Sequence, residues 1–170
     1  MNGVLERWNL LPEPQAQAEH LFCCGSRYWA LGIARRRPLA VRAALLEAAD
    51  TVSRTLGRSD WLEAFQSHPR IGAARAERPL GERAEAWSKQ EQCAAAGGGE
   101  ELRRALAEGN RAYEEKFGHL FIVCATGKPA GEILEILGRR LQNEKEAEFL
   151  EASGEQRRIT ALRLAKWLGA

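Results

Sequence analysis

One pattern dominates this chain: apolar residues recur at helical spacing along most of its length. Between residues 41 and 56 they stand three or four positions apart, at Val41, Leu45, Ala48, Val52 and Leu56. Residues 133 to 141 repeat this spacing. Such a period places apolar side chains on one face of a helix, whereas a half-buried strand requires alternation with a period of two. Convincing alternation is missing from the sequence, so the pattern predicts an all-α fold.

The same spacing predicts the number and placement of the helices. We expect about eight, at roughly 12–23, 25–36, 39–56, 59–67, 84–97, 100–117, 129–141 and 144–168. The apolar run LFIVCAT, residues 120–126, stands between two glycines and predicts one extended segment, because a lone strand has no sheet to join. No linker divides the 170 residues, so we expect a single helical bundle domain, 1–170.

Composition bears on partners and location. The formal net charge of +2 is too small to imply a nucleic-acid or membrane partner. The one basic cluster, Arg35–Arg37, is typical of a solvated helix end. The four cysteines form no C-x-x-C pair and predict buried thiols in a reducing compartment. With neither a leader pattern nor an apolar run of membrane-spanning length, the chain is expected to be cytoplasmic.

The stretch QSHPRIG, residues 66–72, ends a predicted helix with a histidine followed by a proline. Proline restricts the residue before it to extended backbone, so His68 cannot continue the helix and its ring should project from the helix end. This pattern fits either a helix stop that happens to contain a histidine or the corner of an active site.

A polar face follows in the stretch WSKQEQ, residues 87–92. On a helix, Ser88, Glu91 and Gln92 lie three and four positions apart and share one face. A carboxylate beside a histidine orients the ring, fixes its tautomer and raises its basicity. The alternative is a polar face that is merely solvated.

Two further features lie between residues 110 and 125. The face formed by Asn110, Tyr113 and Phe117 predicts an aromatic core stripe on a helix that ends at Gly118. After it, the backbone groups of 120–125 have no predicted sheet partner. Buried backbone groups require partners, and a planar, amide-rich ligand could supply them.

Arg163 has apolar neighbours one turn before and one turn after it, at Ile159 and Trp167. This pattern fits a half-buried cation that binds a carboxylate, or a surface arginine that extends its head group into solvent. Taken together, the candidate side chains are an imidazole, a carboxylate, an amide, a hydroxyl and a guanidinium. That set suits cofactor-free acid–base chemistry on a small, planar, nitrogen-rich anion.

Several motifs occur in an order that is characteristic of one family. They are HPRIG (68–72), SKQEQ (88–92), NRAYEEKFG (110–118) followed by FIV, and LRL (162–164). In this order they resemble the family of 2-oxo-4-hydroxy-4-carboxy-5-ureidoimidazoline (OHCU) decarboxylases, which complete the breakdown of urate to (S)-allantoin. CCGSRYWA (23–30) and ARRRP (34–38) resemble the bacterial branch of that family.

The resemblance implies an all-α homodimer that requires neither a cofactor nor a metal. It implies three catalytic residues: His68, Glu91 and Arg163. It also assigns substrate binding to Pro69, Ser88 and Gln92, and to the backbone at Phe121, Ile122 and Val123. The loop that follows HPRIG, AARAERPLGERAEAW, is richer in arginine than the family leads us to expect.

The expected activity is therefore decarboxylation of OHCU to (S)-allantoin with stereospecific proton transfer, and the expected partner is this small ureidoimidazoline. Two alternatives belong to other classes. One is a non-catalytic helical interaction module that docks through Arg35–Arg37 and the loop at 68–83. The other is a cofactor-free hydrolase of a related ureido compound.

Overall fold

The computed structural model of the chain describes residues 3–71, 87 and 99–169. These residues form eight helices: α1 (Gly3–Asn9), α2 (Glu13–Cys24), α3 (Arg27–Ala34), α4 (Arg42–Ser53), α5 (Arg58–Gln66), α6 (Glu100–Phe117), α7 (Ala130–Arg140) and α8 (Lys145–Trp167). No strand occurs in this described part of the chain, so the predicted all-α class is confirmed. None of these eight helices is long and apolar enough to cross a membrane.

Helix boundaries differ from the prediction where side chains hold the backbone. The helix expected at 39–56 begins only at Arg42, because the side chain of Asn9 bonds both backbone groups of Leu39. Its Nδ2 donates to the Leu39 carbonyl at 2.8 Å, and its Oδ1 accepts from the Leu39 N–H at 3.0 Å. The short helix α1 was not predicted. The helix expected at 84–97 lies outside the described residues except for Trp87, which is helical.

The chain divides into two compact units, and the divisions fall within α5 and α8. Unit 1 comprises residues 1–64 and 157–170, and unit 2 comprises residues 65–156. Within unit 1, α3 packs against both α2 and α4; within unit 2, α6 packs against α7. The single domain expected over 1–170 stays a prediction.

The core of unit 1 is built from tryptophans around a histidine. His20 is fully buried, with its ring centroid 4.4 Å from that of Trp8 and 4.5 Å from that of Trp167. This histidine lies in a polar stretch of the sequence, but α2 turns it into the core. Arg37 also departs from the solvated helix end predicted for it. Its guanidinium lies 5.3 Å from the Trp8 ring centroid and donates to nearby backbone carbonyls.

Burial of His20 makes the stability of the folded state depend on pH. Desolvation, with a smaller contribution from the Arg37 cation, lowers the pKa of His20 from 6.5 to about 3. The folded state therefore keeps the ring neutral at a pH where the unfolded chain already binds a proton. This difference favours the folded state above pH 6.5, and the advantage is lost as the pH falls toward 3.

We expect the free energy of unfolding to decrease by about 1.4 kcal/mol per pH unit once the pH is well below 6.5. Urea unfolding at pH 7 and pH 5 measures this loss. The control is His20→Leu, which removes the titrating ring and two ring nitrogens that have no hydrogen-bond partner among the described residues. The free energy of unfolding of this variant should change much less between pH 7 and pH 5. A parallel decline in both proteins would assign the effect to other groups.

The core of unit 2 forms around Tyr113 on α6. Its apolar members are all buried and come from two helices, α6 and α7, and the loops beside them: Ile71, Leu106, Tyr113, Phe117, Phe121, Val123, Ala125, Ala130, Ile133 and Leu137. The predicted stripe of Asn110, Tyr113 and Phe117 is buried as expected. Helix α6 ends at Gly118, which adopts a left-handed φ of 76° and donates its N–H to the Glu114 carbonyl. Glycine is the residue that adopts this conformation without strain.

Candidate active site

The HPRIG corner begins where α5 ends. After Gln66, the His68 N–H donates to the Phe65 carbonyl at 3.2 Å, which closes one last turn. Pro69 then prevents a further helical turn, because its ring disfavours helical backbone at His68. His68 and Pro69 are both half-buried, and the Nε2 atom of His68 is shielded from solvent. The imidazole is therefore held at a helix end and is not free to rotate in water.

Two side chains of α6 fix the corner from the other side. The Arg70 guanidinium donates to both carboxylate oxygens of Glu114, at 2.7 and 2.8 Å. One turn earlier on α6, the Asn110 amide donates to the Ile71 carbonyl at 3.2 Å. A bidentate arginine–carboxylate pair restricts orientation as well as distance. The sequence had indicated no role for Arg70 or Ile71, and the structure shows that both residues anchor the corner.

His119 belongs to the core and not to a polar rim. Its ring lies 5.2 Å from Phe65, 5.5 Å from Tyr113 and 5.8 Å from Phe149, measured between centroids. Its Nδ1 is 3.0 Å from the Leu120 carbonyl. Its aromatic surroundings favour a structural role.

The segment 120–125 is largely buried, yet it is neither helical nor paired in a sheet. The Ile122 carbonyl accepts from Arg140 Nη1 at 2.6 Å, and the Cys124 N–H donates to Glu155 Oε2 at 2.7 Å. Within the described residues, the N–H and C=O groups of Phe121 and Val123 have no hydrogen-bond partner. Buried backbone groups in this condition are suited to binding a ligand.

A charged network that the sequence did not predict lies directly beside this segment. Arg140, Glu148 and Tyr113 are fully buried, and Glu148 accepts hydrogen bonds from both of the other side chains. Burial, together with the Glu148 carboxylate, raises the pKa of Tyr113, so the phenol remains a donor. The sequence did contain a signal: Arg140 follows Ile133 and Leu137 on the buried face of α7.

Arg163 is buried in unit 1, with 1% of its surface exposed. Its Nη1 donates to the Phe22 carbonyl at 3.1 Å. This burial excludes the surface arginine that the sequence had left open and agrees with the buried cation. Nearby, burial raises the pKa of the Cys24 thiol to about 11, so Cys24 stays protonated beside this cation.

The structure thus describes only some of the predicted site residues, and those lie in different units. His68 and Pro69 lie in unit 2 with the segment at 121–123, and Arg163 lies in unit 1. The three residues of the predicted polar face lie outside the described part of the chain: Ser88, Glu91 and Gln92. Their roles stay predictions. Among the residues that the structure describes, no three His, Cys, Asp or Glu side chains are grouped to hold a metal ion.

Comparison with known proteins gives one consistent family. The family model for OHCU decarboxylase matches residues 9–165. The uric acid degradation bifunctional protein TTL of Arabidopsis thaliana is 35% identical over 144 residues, which is 85% of this chain and 44% of that protein. The 2-oxo-4-hydroxy-4-carboxy-5-ureidoimidazoline decarboxylase of Mus musculus is 38% identical over 68 residues, 40% of this chain and 38% of the mouse protein. The matches thus span less than half the length of these curated relatives.

Solved structures agree with this similarity. The crystal structure of OHCU decarboxylase in the presence of (S)-allantoin superposes with a TM-score of 0.77 at 32% identity. That match covers 90% of this chain and 99% of the other chain. The crystal structure of (S)-allantoin synthase matches with a TM-score of 0.71 at 16% identity, over 96% of this chain and 53% of the other. The second likeness concerns the fold alone.

Proposed function

This chain belongs to the OHCU decarboxylase family, and on that premise we propose that it decarboxylates OHCU to (S)-allantoin in urate degradation. One observation carries the proposal: the family match extends over residues 9–165 and includes the HPRIG corner, which α6 braces. The activity is that of a carbon–carbon lyase. A corner that holds an imidazole at a helix end suits a reaction whose main demand on the protein is directed proton transfer.

The proposed reaction begins with loss of the substrate's carboxylate as CO₂ from the carbon that bears the hydroxyl group. The bonding electron pair moves into the adjacent C=N group of the ring. The hydroxyl group then releases its proton and becomes a carbonyl, and a proton adds from one face to the neighbouring carbon that bears the ureido group, which gives (S)-allantoin in place of a racemate. Because the substrate supplies its own electron sink, the protein has to orient the substrate and deliver one proton.

Within this scheme each predicted residue has one task. His68 mediates the proton transfer, and Glu91 orients and tunes its imidazole. Arg163 holds an anionic or carbonyl oxygen of the substrate through its planar fork. Binding of the ring and ureido amides falls to the remaining predicted residues: Pro69, Ser88, Gln92 and the backbone of Phe121, Ile122 and Val123. The open backbone groups at Phe121 and Val123 support this last assignment.

Two further properties belong to the proposal. We infer that the enzyme is a homodimer, which light scattering on the purified protein tests directly; a monomeric mass at working concentration contradicts it. We also infer that it acts in the cytoplasm without a cofactor. Cys23 and Cys24 are buried and not joined in a disulfide, which suits a reducing compartment, and cell fractionation would test the location.

The direct test is polarimetry on OHCU generated in the cuvette. We expect the purified protein to accelerate its disappearance and to yield optically active allantoin. Unchanged spontaneous decay with racemic product would reject the decarboxylase. Release of ammonia or urea in place of CO₂ would identify a hydrolase of a related ureido compound, and partner binding with no effect on OHCU would favour an interaction module.

A further inference from the structure

Two side chains hold the same edge of the segment at 120–125. Arg140 binds the carbonyl of Ile122, and Glu155 binds the N–H of Cys124. These positions are two residues apart, the spacing at which an extended chain presents its backbone groups on one side. For the extended segment that the sequence predicts, a donor from α7 and an acceptor from α8 therefore secure a single edge.

The opposite edge, at Phe121 and Val123, has no hydrogen-bond partner within residues 3–71, 87 and 99–169. In an extended chain the backbone groups of Phe121 and Val123 point away from those of Ile122 and Cys124. The described residues offer these groups no hydrogen-bond partner, although both residues are buried, at 3% and 5% exposure. That edge has two donors and two acceptors, which complement the alternating N–H and C=O groups of a ureide.

The Arg140–Glu148 ion pair adds little net stability to the fold. Both side chains have no exposed surface, and desolvation of two charges offsets much of their attraction. Apolar residues of similar volume fill such a position equally well in other proteins. An apolar side chain, however, cannot hold the Ile122 carbonyl. The charged pair thus provides what apolar packing lacks, a fixed anchor for one peptide group.

We propose that Arg140 and Glu155 are positioning residues that set the Phe121–Val123 edge to bind the amide groups of the substrate. Glu148 supports Arg140 in this task by fixing its guanidinium. The inference rests on the proposed function, because the ligand it requires is the ureidoimidazoline or its product. It assigns neither Arg140 nor Glu155 a contact with the reacting atoms.

The first test compares Glu155→Leu with Glu155→Gln. Glutamine keeps an oxygen that can accept from the Cys124 N–H, whereas leucine does not. We expect Glu155→Leu to raise KM for OHCU and to weaken (S)-allantoin binding by about tenfold, since small misplacements in a site are costly. The enantiomeric excess of the product should fall as well, because a loosely held ring can take its proton on either face. Glu155→Gln should restore most of each value.

The second test uses Arg140→Lys. Lysine keeps the positive charge beside Glu148 but lacks the fork that reaches both Glu148 and the Ile122 carbonyl. We expect the same rise in KM and the same loss of enantiomeric excess. The matched control is Arg139→Met, which removes an exposed arginine–glutamate pair from the adjacent position and should leave both quantities unchanged.

Assays well below the unfolding temperature separate positioning from stability. If the variants are only less stable, the folded fraction retains the wild-type KM and enantiomeric excess, and the inference is overturned while the decarboxylase stands. If the wild-type protein neither turns over OHCU nor binds (S)-allantoin, the proposed function fails and this inference fails with it. Positioning is supported if KM rises and enantiomeric excess falls in Glu155→Leu and Arg140→Lys, while Glu155→Gln restores most of both values.

Discussion

Replacing His68 with asparagine should lower kcat/KM for OHCU by about 10²–10⁴-fold, the usual contribution of a positioned proton-transfer group. Asparagine can still form hydrogen bonds but cannot exchange a proton near neutral pH. The HPRIG corner should survive the change, because Arg70 and Ile71, not the imidazole, anchor it to Glu114 and Asn110 of α6. Circular dichroism and thermal unfolding should therefore match those of the wild-type protein.

Three measurements define this result. The pH profile of kcat/KM should lose an inflection in His68→Asn, since the titrating group is gone. Added imidazole should partly restore turnover in His68→Ala, where space is left for it. His20→Leu is the matched histidine control, and at neutral pH it should keep the wild-type rate. Wild-type turnover in both His68 variants would remove this residue from the proton-transfer step.

The largest effect on stability is expected from Glu148→Leu. This change leaves the buried guanidinium of Arg140 with only the more distant Glu151 carboxylate, 3.9 Å away, and takes away the acceptor of the Tyr113 hydroxyl. Breaking one side of a buried ion pair costs about 3–5 kcal/mol. Urea unfolding should show a lower midpoint with an unchanged slope. Glu148→Gln keeps an acceptor oxygen and should lose less.

The physical reason is tested by removing the whole network. The triple variant Tyr113→Phe, Arg140→Met and Glu148→Leu replaces every charge and hydroxyl with apolar groups and should recover most of the stability lost in Glu148→Leu. Arg139→Met gives the scale for an exposed pair, where a change of about 0–1 kcal/mol is typical. If the triple variant is no more stable than Glu148→Leu, the cost does not come from an uncompensated buried charge.

The sequence by itself determined the features that depend on neighbours along the chain. Helical periodicity identified the all-α class, because side chains three and four positions apart share a face wherever that face is buried. Pro69 fixed the end of α5 near His68, and Gly118 fixed the end of α6, because both act through local backbone geometry. The HPRIG corner was predictable for the same reason.

Tertiary structure alone decided what depends on partners far away in the chain. Arg140 bonds a tyrosine 27 residues before it, and Cys124 bonds a glutamate 31 residues after it. His20 is buried by tryptophans from three helices that approach it only in the fold. An ionisable side chain on a helix has the same local sequence whether it meets water or a buried counter-charge. Only the packing of the helices settles which of the two it meets.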